Sequence, residues 1–314
     1  MRYTVGVLKA LVITVVLGSQ LLMARPAKKG AASQKAAASQ KAASNKVNAA
    51  RAMQYTREVT AFGPRQIGSA NHKRLEAYLR SQLKNDNLEE DVFTANTPSG
   101  KIECRNFIAK FPGTKNGIIV VSGHYDTNYG LKNYVGANDG GSSTGLLLEL
   151  ANQFRGKKRD GYSVWLVWFD AEEAVKDWTG DDGLYGSRHL AQKWRTEGIL
   201  TKIKAFMLLD MIGDADLNID REQNSTSWLQ DTVYQAAGNL GYRSYFFGRS
   251  LPITDDHVPF VQMGVPSVDI IDMNYGPNDS YHHTPKDTID KVSAKSLGIV
   301  GDTVMATISL LDAR

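Results

Sequence analysis

The sequence predicts an α/β fold with a mostly parallel central sheet and helices on both of its faces. Four short apolar runs have the length of buried strands, and they alternate along the 314 residues with segments of helical periodicity. Strands of a parallel sheet are buried on both faces, so they read as continuous apolar runs. Their alternation with helices indicates one α/β domain.

The predicted elements are defined by their apolar pattern. The strands are placed at residues 116–122, 162–169, 205–209 and 266–271. The helices are placed at residues 70–83, 143–154, 227–239 and 292–311. In the first helix Leu75, Leu79 and Leu83 recur at helical spacing and form one apolar face.

Positive charge is concentrated at the N-terminus. Residues 1–50 contain eight Lys or Arg and no acid, so the net charge of +4 for the whole chain becomes −4 beyond residue 50. The basic isoelectric point therefore describes a tail, and no nucleic-acid partner is expected. A lone Cys104 excludes an internal disulfide and a cysteine-based zinc site.

Three segments follow from composition. Residues 1–24 have a basic start and an apolar stretch, which predicts a signal peptide or an uncleaved anchor. Residues 25–47 are rich in Ala, Ser and Lys and predict a disordered spacer, and residues 48–314 are predicted to form a single folded domain. We expect an exported protein, secreted or periplasmic, with no membrane partner beyond a possible N-terminal anchor. The oligomeric state is not predicted.

Polar residues able to bind a metal cluster around the predicted strands. Because ligand sites of open α/β sheets lie at the carboxyl ends of the strands, we expect these residues to meet there. The segments are 124–126 and 138–139 after the first strand, 170–173 after the second, 210–214 after the third, 255–257 before the fourth, and 281–285 beyond it. Each alone also suits a solvated loop or a helix cap. Their joint occurrence favours one metal centre.

The ligand types indicate zinc. Asp139, Glu173 and His283 offer two carboxylates and an imidazole, which leaves a fourth position open for substrate or water. Glu172 precedes one ligand where the chain leaves a strand, so its side chain can diverge from that of Glu173. We therefore expect Glu172 to face the substrate and to act as general acid and base.

A rival motif is present at residues 141–145, where Gly-Ser-Ser-Thr-Gly fits the nucleophile elbow of serine hydrolases. His283 lies downstream, and Asp210 or Asp256 lies between, so the order of a catalytic triad is permitted. An elbow requires a buried strand that runs directly into the serine. Ser143 instead follows a polar, glycine-rich segment, which disfavours this interpretation.

From about Gly63 onward, the order of these motifs resembles that of the aminopeptidase-like zinc metallopeptidases. Within that group the chain is similar to the glutaminyl cyclases, which convert N-terminal glutamine of peptides to pyroglutamate. The similarity is carried by Phe-Asp-Ala-Glu-Glu-Ala at 169–174, by Trp178, by Leu-Tyr-Gly-Ser-Arg-His-Leu-Ala at 184–191, by 208–213 and by 255–260.

The resemblance implies one Zn²⁺ on Asp139, Glu173 and His283, with peptide or protein N-termini as substrates. It also implies that Glu172 transfers the proton, that Asp210 and Asp256 complete a carboxylate network, and that Trp178 walls the substrate pocket. Simple core packing is the other interpretation of this tryptophan. His282 is also assigned to the substrate pocket, because it stands where animal cyclases usually carry a tryptophan.

Two alternatives remain open. In a two-zinc aminopeptidase, Asp139 would bridge two ions and His124 and Asp210 would bind the second. The segment from Trp178 to His189 favours the cyclase over the peptidase. A non-catalytic binding module that has lost its metal is disfavoured, because every expected ligand and the expected base are present.

Overall fold

Strands from both halves of the chain build the core of the computed structural model, which describes residues 46–178 and 180–314. They are β1 (Leu88–Thr97), β2 (Gly100–Phe111), β3 (Gly113–His124), β4 (Arg159–Phe169), β5 (Ile203–Asp210), β6 (Ile219–Glu222), β7 (Phe246–Leu251) and β8 (Ser267–Ile271). In this part of the chain, six strands form one sheet in the order β1-β2-β4-β3-β5-β8, and β6 pairs with β7. β4, β3, β5 and β8 run parallel, whereas β1 and β2 are antiparallel to their neighbours.

The described helices cover the central sheet and its edges. They are α1 (Ala49–Thr60), α2 (Ala70–Leu83), α3 (Gly141–Phe154), α4 (Tyr185–Thr196), α5 (Ser227–Asn239), α6 (Val258–Gln262) and α7 (Ala294–Asp312). α1, α2 and α7 begin at side-chain caps, since Asn48, Ser69 and Ser293 each accept a hydrogen bond from a backbone N–H of the first turn. Such caps satisfy donors that the helix leaves free.

The sheet is buried on both faces. Alternate residues of a strand point to opposite faces, so Ile119 and Val121 of β3 join one core and Ile118 and Val120 join the other. The first core includes α1, α2, α3, α5 and α7. The second includes α4 and α6. By length and composition α7 could span a membrane. In the structure, however, 72% of its apolar stretch is buried, so its high hydropathy is that of a core helix.

The predicted α/β class with a mostly parallel sheet and helices on both faces is confirmed. All four predicted strands and all four predicted helices correspond to observed elements. α3 begins at Gly141, two residues before the predicted start, and the last helix begins at Ala294, just after its Ser293 cap. Most of the N-terminal signal or anchor and spacer prediction, residues 1–45, lies outside the described residues.

The sequence did not predict the β1–β2 hairpin or the helices α1 and α4. β1 alternates between buried and exposed residues because its partners lie on one face only, so it contains no continuous apolar run. α4 starts after Leu184, which has left-handed backbone and forms no side-chain cap. The usual capping signal is therefore missing from the sequence.

Gly145 lets α3 approach α1 closely. A Cβ atom at this position would lie 2.2 Å from Oγ1 of Thr56 and 2.7 Å from its backbone nitrogen. Gly145→Ala should therefore displace the two helices and lower the free energy of unfolding by about 1–3 kcal/mol. Thermal unfolding should show a reduced Tm, whereas Gly248→Ala, where an added Cβ meets nothing within 4 Å, should not. An unchanged Tm in Gly145→Ala would contradict this packing.

Candidate metal centre and its cavity

The predicted site residues converge at the carboxyl edge of the parallel strands. β3 ends at His124 and β5 at Asp210, and the register places His124 opposite Phe169, the last residue of β4. Glu172 and Glu173 follow β4 within four residues. The strand alignment thus gathers groups from three separate parts of the chain into one site.

Asp139, Glu173 and His283 lie close together although they are distant in sequence. Nε2 of His283 lies 3.4 Å from Oδ2 of Asp139 and 3.3 Å from Oε2 of Glu173. Ligands on a tetrahedral zinc with bonds of about 2.0–2.1 Å are separated by about 3.3–3.4 Å. Oε1 of Glu173 is buried and has no hydrogen-bond partner among the described residues. The donor types and the two distances from His283 fit a zinc ion. Asp139, His282 and His283 also form a group of side chains that could hold a metal ion.

Two neighbouring side chains orient the carboxylates of this cluster. The Tyr134 hydroxyl donates a hydrogen bond to Oδ2 of Asp139, and Nδ2 of Asn128 donates to Oε2 of Glu173 at 3.0 Å. Such partners fix the orientation of metal-binding groups. Neither residue was predicted, because both lie in a loop whose sequence carries no recognisable ligand motif.

Asp126 fixes the turn that carries the two glutamates. Its carboxylate accepts hydrogen bonds from the backbone N–H groups of Glu172 at 3.2 Å and Glu173 at 3.3 Å. Oδ1 of Asp126 also lies 3.4 Å from Nδ1 of His124. The preceding Ala171 has left-handed backbone with φ of 56°. These contacts direct the two adjacent side chains into the site.

The loop that bears Asp139 is held by a buried arginine. The Arg65 guanidinium donates to the carbonyl oxygens of Tyr125 at 2.7 Å, Gly136 at 2.8 Å and Asp139 at 3.3 Å, and also to that of Val135. Arg65 is fully buried, so these backbone acceptors replace its hydration. The fork of donors therefore fixes the loop at several points.

Asp287 links the same loop to the segment of His283. It accepts backbone hydrogen bonds from Asn138 at 2.8 Å and from Asp139 at 3.1 Å, and the Tyr275 hydroxyl donates to it at 2.6 Å. Asp287 lies four residues after His283. Two predicted ligands are thus tied together through one buried carboxylate.

Gly140 follows Asp139 and has a positive φ of 71°. A Cβ atom here would lie 2.8 Å from the Asp126 carbonyl oxygen and 3.0 Å from Cε1 of His124. Only glycine fits this turn, which begins α3 immediately after the predicted ligand.

His124 and Asp210 lie on the other side of Asp139. Nε2 of His124 lies 3.0 Å from Oδ1 of Asp139 and 3.3 Å from Oδ1 of Asp210. The three residues form a group that could hold a metal ion. The structure therefore brings together the predicted ligands of the first zinc and those of the alternative second zinc.

Asp139 and Glu172 have opposite electrostatic environments. Burial opposes ionisation of Asp139, but hydrogen bonds and charge from His124 and His283 hold its pKa well below the usual value. Burial raises the pKa of the Glu172 carboxyl well above its usual value; His124 opposes this shift and Asp255 adds to it. Asp139 is thus suited to remain an anionic ligand, and Glu172 to carry a proton.

A cavity of 460 Å³ opens beside these groups, and Glu172, Asp210 and Asp255 form its acidic wall. Asp255 lines the cavity, whereas Asp256, the residue predicted for the carboxylate network, does not. Both carboxylate oxygens of Asp256 are buried without a hydrogen-bond partner among the described residues. Burial raises the pKa of Asp256 to about 7.

Trp178 and His282 also reach this cavity. Trp178 is 43% exposed, which excludes simple core packing, and its ring lies over Gly183, where a Cβ atom would be 2.9 Å from Cζ3. The ring of His282 lies 4.1 Å from that of His283. Both residues predicted to bind substrate thus border the space beside the predicted metal ligands.

Ser143 is not an exposed nucleophile. It lies in the first turn of α3, is fully buried, and donates from its hydroxyl towards the carbonyl oxygens of His124 at 3.3 Å and Gly140 at 3.4 Å. No strand runs directly into it. The serine hydrolase interpretation is wrong because the motif begins a buried helix.

Comparison with known proteins identifies the family. Residues 106–308 match the profile of peptidase family M28. The crystal structure of a glutaminyl cyclase from an Acidobacteriales bacterium aligns with a TM-score of 0.84 and 50% identity, covering 86% of this chain and 96% of that one. The chain belongs to family M28, among its glutaminyl cyclases. The predicted family and aminopeptidase-like fold are confirmed.

The proteins similar to this chain include both a cyclotransferase and a peptidase. This glutaminyl cyclase chain is 32% identical over 269 residues to the glutaminyl-peptide cyclotransferase of Drosophila melanogaster, covering 76% of this chain and 75% of the relative. It is 29% identical to a Zn-dependent exopeptidase from Parabacteroides distasonis, with a TM-score of 0.74 and coverage of 86% and 99%. The similarities to cyclotransferases therefore support the cyclase more strongly than the aminopeptidase alternative.

Asp287→Asn should weaken zinc binding about 10–100-fold, because the amide cannot accept hydrogen bonds at both terminal atoms and the Asp139 loop loses part of its anchor. Competition with a chromogenic chelator measures this affinity directly. Asp290→Asn, at an exposed position three residues away, should bind zinc as the parent protein does. Equal zinc affinity in Asp287→Asn and the parent would show that the anchor is not required.

Proposed function

We propose that this chain is a zinc-dependent glutaminyl-peptide cyclotransferase that converts N-terminal glutamine of peptides and proteins to pyroglutamate and releases ammonia. The observation that carries the proposal is the buried Glu172 carboxyl, which shares one cavity wall with Asp139 and His283. The cavity of 460 Å³ lies in the size range of small-ligand sites.

The reaction closes a five-membered lactam. The α-amino nitrogen of the substrate attacks its own side-chain amide carbon, the new C–N bond forms, and the bond to the amide nitrogen breaks. One proton leaves the attacking amine and one is gained by the departing ammonia, so the proton count balances. Asp139, Glu173 and His283 would hold the zinc, which would supply a Lewis acid for the amide carbonyl oxygen.

Glu172 is assigned the proton transfer between the two nitrogens. Its position on the cavity wall lets one carboxyl accept a proton from the attacking amine and return it to the leaving group. Asp210 and Asp255 are assigned hydrogen bonding to the α-amino group of the substrate, because both side chains line the same wall. Asp256 is assigned a supporting role, because its charge helps to raise the pKa of Glu172.

The substrate side chain is bounded by Trp178 and His282. The exposed indole at the rim offers an apolar surface that excludes water, and His282 offers a ring beside the assigned zinc ligand His283. Holding the amine and the amide in a near-attack arrangement lowers the entropic barrier to ring closure. These two residues are therefore assigned to substrate positioning.

One zinc per chain is proposed, with His124 and Asp210 as supporting groups. The second candidate function is a two-zinc aminopeptidase, favoured by the group formed by His124, Asp139 and Asp210 and by the similarity to a Zn-dependent exopeptidase. We further propose export of the chain through its N-terminal 24 residues and a single catalytic domain from residue 48.

The two functions differ in product and metal content. Purified protein should release ammonia and form pyroglutamate from a peptide that begins with glutamine, and should release no free amino acid from Leu or Ala peptides. Elemental analysis should give about one zinc per chain. Release of leucine together with two zinc ions per chain would support the peptidase and overturn the cyclase.

Glu172→Gln should retain zinc but lower kcat by at least about 10²–10⁴-fold, because glutamine cannot transfer the proton. His283→Ala is the matched contrast and should lose zinc, because it removes one of three ligands. Metal content and turnover are measured on the same samples after chelation and reloading. Full activity in Glu172→Gln, or full zinc content in His283→Ala, would contradict the corresponding role.

A further inference from the structure

A second groove lies beside the catalytic cavity and has no role in the cyclisation itself. Its volume is 430 Å³, and it is lined by Phe93–Asn96 of β1 on one side and by Tyr185, Arg188 and His189 of α4 on the other. Arg188 lines both the groove and the catalytic cavity. The two spaces are therefore neighbours that share one side chain at their junction.

The groove is located at the catalytic edge of the sheet. β2 pairs with β4 only from Phe107 to Phe111, whereas the β1–β2 pairing continues to Thr97 opposite Gly100. The end of the hairpin therefore projects beyond β4 at the edge where Glu172 lies. On one face of β1, Phe93 joins a small core with Ala171, the residue before Glu172. The projecting hairpin is thus fixed beside the site.

The outer edge of β1 is unpaired in the described part of the chain. β1 is the terminal strand of its sheet and hydrogen-bonds to β2 alone. In antiparallel pairing, alternate residues direct their N–H and C=O groups away from the partner strand. Such an edge can accept an extended peptide as an added strand. Thr94 and Asn96 are exposed on one face of β1, and Phe93 and Ala95 are buried on the other.

Arg188 is held at the junction of the two spaces. Its Nη1 donates to Oδ1 of Asp181 at 3.1 Å, and its guanidinium lies 5.1 Å from the centre of the Tyr185 ring. The side chain is 32% exposed, so N–H donors remain accessible to a passing chain. A guanidinium fixed in this way can bind the carbonyl oxygens of a peptide that leaves the cavity.

We propose that the residues after the N-terminal glutamine of the substrate bind in this groove as an extended strand along β1. The inference rests on the proposed function and makes extended, unstructured N-termini of several residues the preferred substrate class. The groove and the catalytic cavity meet at Arg188, so a peptide whose first residue occupies the cavity would continue into the groove. We therefore assign the groove to the substrate chain itself. Backbone pairing with β1 requires no particular side chain, so the preference is for length and extension.

The test compares a glutaminyl dipeptide amide with an octapeptide that begins with glutamine. Two or more added backbone hydrogen bonds should raise kcat/KM for the octapeptide by about tenfold or more. Thr94 belongs to the groove lining, so Thr94→Trp should obstruct the peptide along the edge of β1 and remove this advantage without changing dipeptide turnover. Val92→Trp is the control, because Val92 is 49% exposed on the same face of β1 and lies outside the groove lining.

A second measurement uses the parent protein and needs no variant. Methylation of successive backbone nitrogens in the octapeptide should lower kcat/KM at alternate positions only, since every second residue pairs with β1. Equal kcat/KM for both substrates, equal effects of the two tryptophan variants, or a uniform effect of methylation would each overturn the groove assignment. If neither substrate yields pyroglutamate, the proposed function itself is wrong.

Discussion

The parallel alignment of β3, β4 and β5 is the constraint on which the rest of the site depends. With His124 opposite Phe169 and Ser122 opposite Leu208, the three strands end at nearly the same level. Every chemical group then needs only a short loop to reach the same point. A shift of register by one residue would reverse the faces of a whole strand, so the buried cores protect the site from such a shift.

The acidic side chains at the site have two kinds of role: some hold the loops in place, and others are candidate metal ligands. Asp126 and Asp287 accept backbone N–H bonds and so fix the loops, whereas Asp139 and Glu173, which are proposed to share an ion, each have an oxygen close to the His283 ring. Hydrogen bonding and charge separate the behaviour of otherwise identical carboxyls within one cavity. The anchors account for acids that a ligand count alone would leave unexplained.

The parallel strands could be predicted from the sequence because each buried strand is a continuous apolar run. The groups at their ends could be predicted because several segments with possible metal ligands occur next to these runs. The sequence was insufficient for contacts set by backbone geometry. The anchoring role of Arg65 depends on carbonyl groups, which carry no sequence signal. That Asp255 lines the cavity while Asp256 does not depends on the local backbone, which two adjacent aspartates do not reveal. β1 escaped prediction because only one of its faces is buried.

The wide separation of the cluster along the chain has a consequence for biogenesis. The groups proposed to hold the metal extend from position 139 to position 283, and they meet only once β3, β4 and the segment after β8 have joined. A partly synthesised chain cannot offer the complete set, so metal acquisition must be a late event that follows long-range folding. Bound metal would then report that the whole polypeptide has been correctly assembled, wherever in the cell that assembly takes place.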